Sequence, residues 1–228
     1  MAASLSTQPQ LLEPHIYEAR FSQRELQEAR LVWKAISAYL QQWVSPTGTT
    51  LDLGAGYCHF INNIASRHRI AVDVNQESLE RHADPRVRCV TTSGADLTAV
   101  ADNSIDAVFA SNVYEHFCSR EEVAQSFREV RRILVTGGRF IILQPNFRYC
   151  MKRYFDFFDH RLAFTHLAMA EGLRISGFEI EKVVDRFLPY TSKSSLPKWP
   201  WLVSCYLRFP WAWKILGAQM LIVARKPG

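Results

Sequence analysis

The sequence has no low-complexity tract and no internal repeat, so a globular domain is the simplest class. Of its 228 residues, 48% are hydrophobic and 21% are charged, which is the composition of an ordinary folded domain. The N-terminal segment MAASLSTQPQLLEPH has no basic stretch followed by an apolar run. It therefore predicts no secretory signal, and a cytoplasmic location is the default expectation.

Cysteine is scarce and shows no pairing pattern. The five cysteines are far apart and mostly set among apolar residues: Cys58, Cys89, Cys118, Cys150 and Cys205. Buried free thiols are favoured over a disulfide framework or a metal cage, and a reducing compartment follows. The chain also lacks HExxH, CxxC, G-x-S-x-G and P-loop motifs, so the sequence predicts no metal site.

Short apolar runs alternate with helical stretches over most of the chain. Residues 22–44 carry apolar side chains at helical spacing, which predicts a helix with one buried face. Strands are then predicted at TTLDL, RIAVDV, VRCVT, IDAVFA and RFIILQ, with helices around FINNIASR and QESLERHA and from Arg120 to Leu134. This alternation predicts an α/β fold, a Rossmann-like seven-stranded and mostly parallel sheet with helices on both faces.

The C-terminal part breaks this alternation. After a helix around THLAMAEGLRISG come the strands FEIEKVVDRFL and QMLIVARK, separated by a Pro- and Trp-rich segment without an obvious crossover helix. This order predicts an antiparallel pair at one sheet edge, with an antiparallel last strand. We expect a single domain over 1–228, with an N-terminal helical cap at 1–47, a cofactor-binding core at 48–187 and a Trp-rich insertion plus final strand at 188–228.

The glycine turn after the first predicted strand, LDLGAGYC at 51–58, suits close approach of a ligand to the backbone. A dinucleotide site requires G-x-G-x-x-G, but counting from Gly54 places His59 at the third glycine position. S-adenosylmethionine has no phosphate and needs only that close approach and an acid for its ribose. Asp73, at the end of the second predicted strand, supplies an acid able to accept both ribose hydroxyls.

Five segments resemble, in order, the motifs of class I S-adenosylmethionine-dependent methyltransferases. They are LDLGAGYC (motif I), AVDVN (the acidic motif), GADL (the adenine loop), SNVYEHF (after the fourth strand) and LVTGGRFIILQPN (leading into the fifth). The resemblance covers roughly residues 48–187, although Cys58 replaces the last motif I glycine and Thr136 the usual proline. GAGYCHFINNIA, IAVDVN, YFDFFDH and FLPYTSKSSLP are further similar to bacterial methyltransferases found among polysaccharide and glycolipid biosynthesis genes.

The resemblance implies a cofactor site at the carboxyl ends of the strands. It comprises Asp52, Gly54, Gly56, Tyr57, Asp73, Val74, Asp96, Leu97 and Asn112. Asp73 could instead cap the next helix, although Asn75 is better placed for that role. Asp96 could cap a turn that begins at Leu97 rather than bond to the adenine amino group, and Asn112 could merely form a turn.

Two histidines are candidates for removing a proton from a hydroxyl acceptor. His116 lies just after the fourth strand beside Glu115, and a structural histidine is the alternative. His160 ends the YFDFFDH loop, residues 154–160. Its four aromatic residues offer a flat apolar surface for a sugar or lipid-linked ring: Tyr154, Phe155, Phe157 and Phe158. A surface loop with buried aromatic side chains would have the same sequence.

The segment 195–217 is longer than the hairpin usually found between the last two strands. It combines four tryptophans with three cations: Trp199, Trp201, Trp211, Trp213, Lys198, Arg208 and Lys214. Prolines and cations argue against a membrane-spanning helix. Trp mixed with Lys, Arg and Leu is typical of a segment lying at a membrane interface, which would make the protein membrane-peripheral. A lid or a homodimer contact is the alternative.

The sequence thus predicts an enzyme that moves the methyl group of S-adenosylmethionine to an oxygen of a sugar, glycolipid or other small-molecule acceptor. Nitrogen is the second choice of acceptor atom, and residues 22–44 with the YFDFFDH loop close the acceptor site. Nucleic acid is disfavoured, because QPNF at 144–147 resembles the base-amino methyltransferase signature but follows the fifth strand instead of the fourth. A cofactor-binding partner protein without turnover and a nicotinamide-dependent oxidoreductase stay open as alternatives.

Overall fold

Seven strands and eight helices make up the part of the chain that this computed structural model describes, residues 22–190 and 199–228. The strands are β1 (Thr49–Leu53), β2 (His68–Asp73), β3 (Val87–Thr91), β4 (Ile105–Ser111), β5 (Leu134–Pro145), β6 (Glu179–Val184) and β7 (Gln219–Arg225). The helices are α1 (Gln23–Leu40), α2 (His59–Asn63), α3 (Gln76–His82), α4 (Arg120–Ile133), α5 (Phe147–Tyr154), α6 (His166–Ile175), α7 (Pro200–Arg208) and α8 (Pro210–Leu216).

The strands form one sheet in the order β3-β2-β1-β4-β5-β7-β6. The pairs among β1 to β5 are parallel, whereas β7 runs antiparallel to both of its neighbours, β5 and β6. The predicted Rossmann-like sheet and its antiparallel last strand are therefore confirmed. β7 lies between β5 and β6, so β6 is the edge strand of the antiparallel pair.

Both faces of the sheet are covered, which explains the continuous apolar runs in the central strands. In β4, Val108 and Ala110 belong to a core shared with α4 and α6, whereas Ala107 and Phe109 belong to a core shared with α1, α2 and α8. Because successive side chains of a strand point to opposite faces, each central strand contributes to both cores.

The N-terminal helix begins where the sequence predicted it. The Ser22 hydroxyl accepts a hydrogen bond of 3.3 Å from the Glu25 amide, and the Glu25 carboxylate accepts one of 2.8 Å from the Ser22 amide. This reciprocal pair is a capping box, which fixes the first turn. α1 ends at Leu40 and a 3-10 turn, Gln41–Trp43, follows, so the α-helix is shorter than predicted.

Two short helices, α7 and α8, occupy part of the segment for which the sequence predicted no helix. Pro200 and Pro210 are their first residues. A proline is tolerated at the first helical position because the backbone amide there has no hydrogen-bond partner within the helix. Leu207 and Trp213 are buried in the core that includes α1. Lys198 lies outside the described residues. Among the residues described, no helix is long and apolar enough to cross a membrane.

The fold places the predicted ligand-binding turns side by side. Leu53, the last residue of β1, is paired with Val72 of β2 and with Ala110 of β4. The segments after these three parallel strands therefore leave the sheet at the same edge. In open α/β sheets, ligands bind at this edge.

Candidate active site

A cavity of about 990 Å³ extends along the carboxyl ends of β1, β2 and β4. Its polar end includes the glycine turn, Asp73 and the segment after β4, and its apolar end lies between α1, α7 and α8. Every cofactor residue predicted from the sequence lines this cavity except Asp96 and Leu97.

The glycine turn adopts left-handed backbone at alternate positions. Gly54, Gly56 and Cys58 have φ values of 69°, 50° and 56°, a region that costs a residue with a Cβ about 1–2 kcal/mol. A Cβ at Gly54 would lie 2.4 Å from Cγ2 of Val113, whereas a Cβ at Gly56 would meet nothing within 4 Å. Gly54 is therefore needed for packing inside the protein, and Gly56 leaves space in the cavity.

Asp73 joins the glycine turn to the end of β2. Its carboxylate accepts hydrogen bonds from the amides of Gly56, at 2.8 Å, and Asn75, at 2.9 Å. Burial raises the pKa of Asp73, and these two amides act in the opposite direction. Asn75, as the sequence suggested, caps α3 by accepting a hydrogen bond from the Ser78 amide, so Asp73 does not serve as the cap.

Asp52 gives the cavity a second buried carboxyl group close to Asp73. The residue is 3% exposed, and burial raises its pKa to about 8 against the opposing hydrogen bond from the Ile61 amide. The charge of Asp73 contributes in the same direction as burial. Burial disfavours the charged form of both carboxyl groups, and a nearby positive charge would favour it. This end of the cavity therefore suits a ligand that carries positive charge.

Tyr57, Val74 and Asn112 also line the cavity. The Tyr57 ring stacks on the His59 ring with 5.8 Å between the centroids. Val74 is 43% exposed although it is apolar. Asn112 has a φ of 51°, a left-handed conformation that asparagine tolerates better than most residues.

Asp96 adopts the capping role that the sequence offered as its alternative. Its carboxylate accepts hydrogen bonds from the amide and the hydroxyl of Thr98, at 3.1 and 2.7 Å, and it does not line the cavity. Leu97 is fully buried in the core beneath. The cavity wall in this region is formed by Thr92, Ser93 and Gly94, so an adenine contact of Asp96 stays a prediction.

The two candidate histidines, 44 positions apart in the chain, meet in the structure. The ring centroids of His116 and His160 are 5.3 Å apart, and both residues line the cavity. Nδ1 of His116 lies 3.3 Å from Oδ2 of Asp159. A carboxylate in this position orients the imidazole ring.

Glu115 completes this group of polar side chains from below. It is 1% exposed, and its Oε2 accepts a hydrogen bond of 2.6 Å from Nε2 of Gln144. Burial raises the pKa of Glu115, and the charge of His116 opposes this effect. The sequence predicted no metal site, yet Glu115, His116 and His160 each place a potential ligand atom within 4.8 Å of the others.

The loop 154–160 contributes less aromatic surface to the cavity than the sequence predicted. Of its four aromatic residues, only Phe157 lines the cavity. Tyr154 is fully buried, and its hydroxyl donates a hydrogen bond to the Leu162 carbonyl. Phe155 and Phe158 are 60% and 85% exposed. The sequence also gave no signal for α5, the helix that precedes this loop.

The apolar end of the cavity is the part that sequence reasoning described least well. Its wall includes Leu26, Ala29, Val32, Trp33 and Ile36 of α1, and Leu202, Val203, Tyr206, Trp211 and Ala212 of α7 and α8. The helical spacing of the α1 residues indicated a buried face, but not that this face covers a ligand site. The division of the chain into an N-terminal cap and a cofactor-binding core stays a prediction.

Comparison with known proteins points in the same direction as the geometry. Residues 51–142 match the family model described as a methyltransferase domain. This range begins in β1 and ends in β5, so it includes the glycine turn, Asp73 and His116. No curated protein sequence matches the chain.

Solved structures match the fold over most of its length. A Haloferax volcanii chain solved in complex with the Trm112 methyltransferase activator is 15% identical, with 90% of this chain and 94% of that chain covered and a TM-score of 0.66. A SAM-dependent methyltransferase from Archaeoglobus fulgidus is 18% identical, with 94% and 100% covered and a TM-score of 0.65. The [4+2]-cyclase SpnF is 17% identical, with 85% and 80% covered and a TM-score of 0.60. Identities this low show a shared fold.

Proposed function

We propose that the protein transfers the methyl group of S-adenosylmethionine to an oxygen of an amphipathic small molecule, a function consistent with the match of residues 51–142 to a methyltransferase domain. The observation that carries this proposal is that one continuous cavity joins the glycine turn and Asp73 to a long apolar wall. Its volume of about 990 Å³ is at the upper limit of the roughly 300–1,000 Å³ of ligand sites, as expected where two molecules must meet.

The polar end of the cavity suits the cofactor. Asp73 would accept the ribose hydroxyls, and the open space beside Gly56 would admit the methionine half of the molecule. S-adenosylmethionine carries a sulfonium and an ammonium charge, which would offset the burial of Asp52 and Asp73. Thr92, Ser93 and Gly94, which line the cavity beside the predicted Asp96 and Leu97, would lie along the adenine.

The acceptor would lie between α1 and α7, with its reactive group near His116. A hydroxyl acceptor must lose a proton as its oxygen bonds to the methyl carbon, while the sulfur–carbon bond breaks and its electron pair stays on sulfur. The side chains that could activate such a hydroxyl, His116 with Asp159 and His160, are grouped at this point. An acceptor with an apolar chain or ring and a hydroxylated head, as in a glycolipid, fits this wall better than a free sugar.

The dinucleotide alternative is disfavoured by His59, which occupies the third glycine position. The residue lies inside the wall of the cavity, and burial lowers its pKa to about 4, so its ring is neutral at pH 7. A neutral, bulky ring offers neither the close helix–strand packing nor the positive charge that a pyrophosphate needs.

The proposal is tested with pure protein, methyl-labelled S-adenosylmethionine and two extracts of matched hydroxyl content, one of glycolipids and one of water-soluble polysaccharides. We expect label and S-adenosylhomocysteine to appear together with the glycolipid fraction. Tight binding of S-adenosylhomocysteine without turnover on either fraction would favour a cofactor-binding protein that transfers no methyl group. Calorimetric binding of NADH in preference to S-adenosylhomocysteine would contradict the cofactor assignment.

A further inference from the structure

We propose that Glu115, His116 and His160 bind a divalent transition-metal ion at the acceptor end of the cavity. One ligand atom from each of the three side chains lies within 4.8 Å of the other two. A single ion at the centre of such a triangle would be within reach of all three after small side-chain adjustments, since metal–ligand bonds are about 2.0–2.2 Å long. All three residues line the cavity.

The ligand types indicate which ion would bind. Two imidazole nitrogens and one carboxylate oxygen suit Zn²⁺, Mn²⁺ or Fe²⁺, whereas Ca²⁺ and Mg²⁺ prefer oxygen ligands. Three protein ligands leave at least one coordination position open, as in metal sites that bind a substrate or water. The open position would face the cavity in which the acceptor is proposed to lie.

Neighbouring groups hold the three ligands in place. Oδ2 of Asp159 lies 3.3 Å from Nδ1 of His116, and Gln144 donates its hydrogen bond of 2.6 Å to Glu115. Carboxylates and amides behind the ligands commonly fix their orientation at metal sites. With Nδ1 of His116 engaged by Asp159, the Nε2 atom is the one left for an ion.

The backbone also fixes the distance between the two parts of the cluster. The amides of Arg161 and Leu162 donate hydrogen bonds of 2.7 and 3.1 Å to the Glu115 carbonyl. His160 is therefore held beside the Glu115–His116 pair by main-chain contacts that do not depend on the conformation of exposed side chains. A carboxylate as buried as that of Glu115 is costly without a compensating cation, and the ion would supply that charge.

The consequence for the reaction rests on the proposed function. A bound ion would coordinate the acceptor hydroxyl and lower its pKa. The hydroxyl proton would pass to water, the oxygen would bond to the methyl carbon, and neutral S-adenosylhomocysteine would leave. In this form of the enzyme His116 acts as a ligand, and activation of the acceptor is the role of the metal.

Metal binding can be measured without any acceptor. Untagged full-length protein is stripped with a chelator and titrated with Co²⁺, followed by visible absorption, and with Zn²⁺, followed by calorimetry. We expect one ion per chain and a cobalt spectrum of low coordination number. His116→Ala and His160→Ala should each weaken binding by more than about tenfold, the smallest loss seen even for residues behind metal ligands. Glu115→Gln tests the buried ligand without changing its size.

His68→Ala is the matched control, because His68 is exposed at the start of β2 and lies away from the cluster. The affinity of this variant for Co²⁺ and Zn²⁺ should equal that of the wild type. Circular dichroism confirms that each variant is folded. Absence of stoichiometric binding by the wild type, or equal affinity in His68→Ala and in folded His116→Ala and His160→Ala, would overturn the site. Stoichiometric binding together with equal methyl transfer by stripped and loaded protein would overturn only its role in the reaction, whereas binding without transfer to any acceptor would count against the proposed function.

Discussion

The carboxylate of Asp73 accepts a hydrogen bond of 2.8 Å from the backbone amide of Gly56. This contact joins the loop after β1 to the carboxyl end of β2, 17 positions further along the chain. The acid proposed to bind the ribose thus also holds the turn that admits the rest of the cofactor. Substitutions of Asp73 will change the shape of the site as well as its charge.

Asp73→Asn should weaken S-adenosylhomocysteine binding by about 1.5–3 kcal/mol, the range for hydrogen bonds to a charged group. Asparagine keeps one acceptor oxygen and can therefore satisfy only one of the Gly56 and Asn75 amides, so the melting temperature should fall, but by less than in Asp73→Ala. Asp73→Ala removes both acceptors and should lower the melting temperature as well. Glu77→Gln, on the exposed side of α3, is the control. Calorimetric affinity of Asp73→Asn within twofold of the wild type would contradict the ribose assignment.

Gly56→Ala should reduce cofactor binding while leaving the protein folded. The new Cβ would meet no protein atom within 4 Å, so it would occupy only cavity space, at a backbone cost of about 1–2 kcal/mol for the left-handed conformation. Gly54→Ala should instead lower the melting temperature, because its Cβ would lie 2.4 Å from Val113. Calorimetry and thermal unfolding on both variants separate the two effects. Unchanged binding by Gly56→Ala would show that this turn does not approach the ligand.

The free energy of unfolding should decrease as pH rises from about 4 to about 8, in part because of Asp52. Burial raises the pKa of Asp52 to about 8, so the folded state holds this proton at pH values where the unfolded chain has released it. The stabilisation is complete below the unfolded pKa and is lost as pH passes through the folded pKa.

Asp52→Asn should remove this part of the pH dependence and raise the melting temperature at pH 8. Each unit of pKa shift corresponds to about 1.4 kcal/mol, which is about 3–5 °C for a domain of this size. Thermal unfolding at pH 5 and pH 8 measures the difference. The same slope in the variant and the wild type would show that Asp52 ionises normally in the folded protein.

The tryptophans of the segment 195–217 separate into two classes. Trp199, Trp201 and Trp211 are 58%, 60% and 65% exposed, whereas Trp213 is 6% exposed. Nε1 of Trp213 donates a hydrogen bond of 2.9 Å to the Tyr206 carbonyl. Only the first three can contact a lipid surface, so the membrane alternative does not hold for Trp213.

If the three exposed tryptophans lie at a lipid interface, the protein should float with anionic vesicles at low salt and be released at high salt, whereas absence of flotation of the wild type would contradict the membrane alternative. Arg208 and Lys214 would contribute roughly 1 kcal/mol each near such a surface. Serine at the three exposed positions should abolish flotation without unfolding the chain. Trp213→Ser is the contrast, because loss of a buried tryptophan should cost about 3–5 kcal/mol of stability. Flotation of the triple variant equal to that of the wild type would favour the lid or dimer alternative. The same alternative would be favoured if light scattering shows that the wild type is a dimer and the triple variant a monomer.

The fold was largely predictable because its strands are buried on both faces. Runs such as IDAVFA and RFIILQ have strand length and are separated by helical patterns, and that alternation restricts the topology. The helices α7 and α8 were missed because Pro200 and Pro210 looked like interruptions. A proline is tolerated in the first turn of a helix and disrupts the helix only at later positions. The sequence alone does not show that each of these prolines lies at the start of a helix.

The sequence predicted those residues of the candidate site that lie at or just after the end of a strand. Gly56 lies in the turn after β1 and Asp73 is the last residue of β2, so parallel pairing brings them together. The approach of His160 to Glu115 depends on backbone hydrogen bonds across the loop after α5, for which the sequence has no local signal. Asp96 could not be assigned because a short acid before Leu97 suits both a cap and a ligand contact.

The position of β7 in the sheet has a consequence for how the chain folds during synthesis. β6 contacts the rest of the sheet through β7, and residues 220–224 of β7 are fully buried. Until these residues leave the ribosome, β6 has no strand to join and β5 keeps an open hydrogen-bonding edge. Open edges of this kind recruit strands from other molecules. A nascent chain that stalls before Gln219 should therefore need a chaperone, although it already contains the complete glycine turn and Asp73.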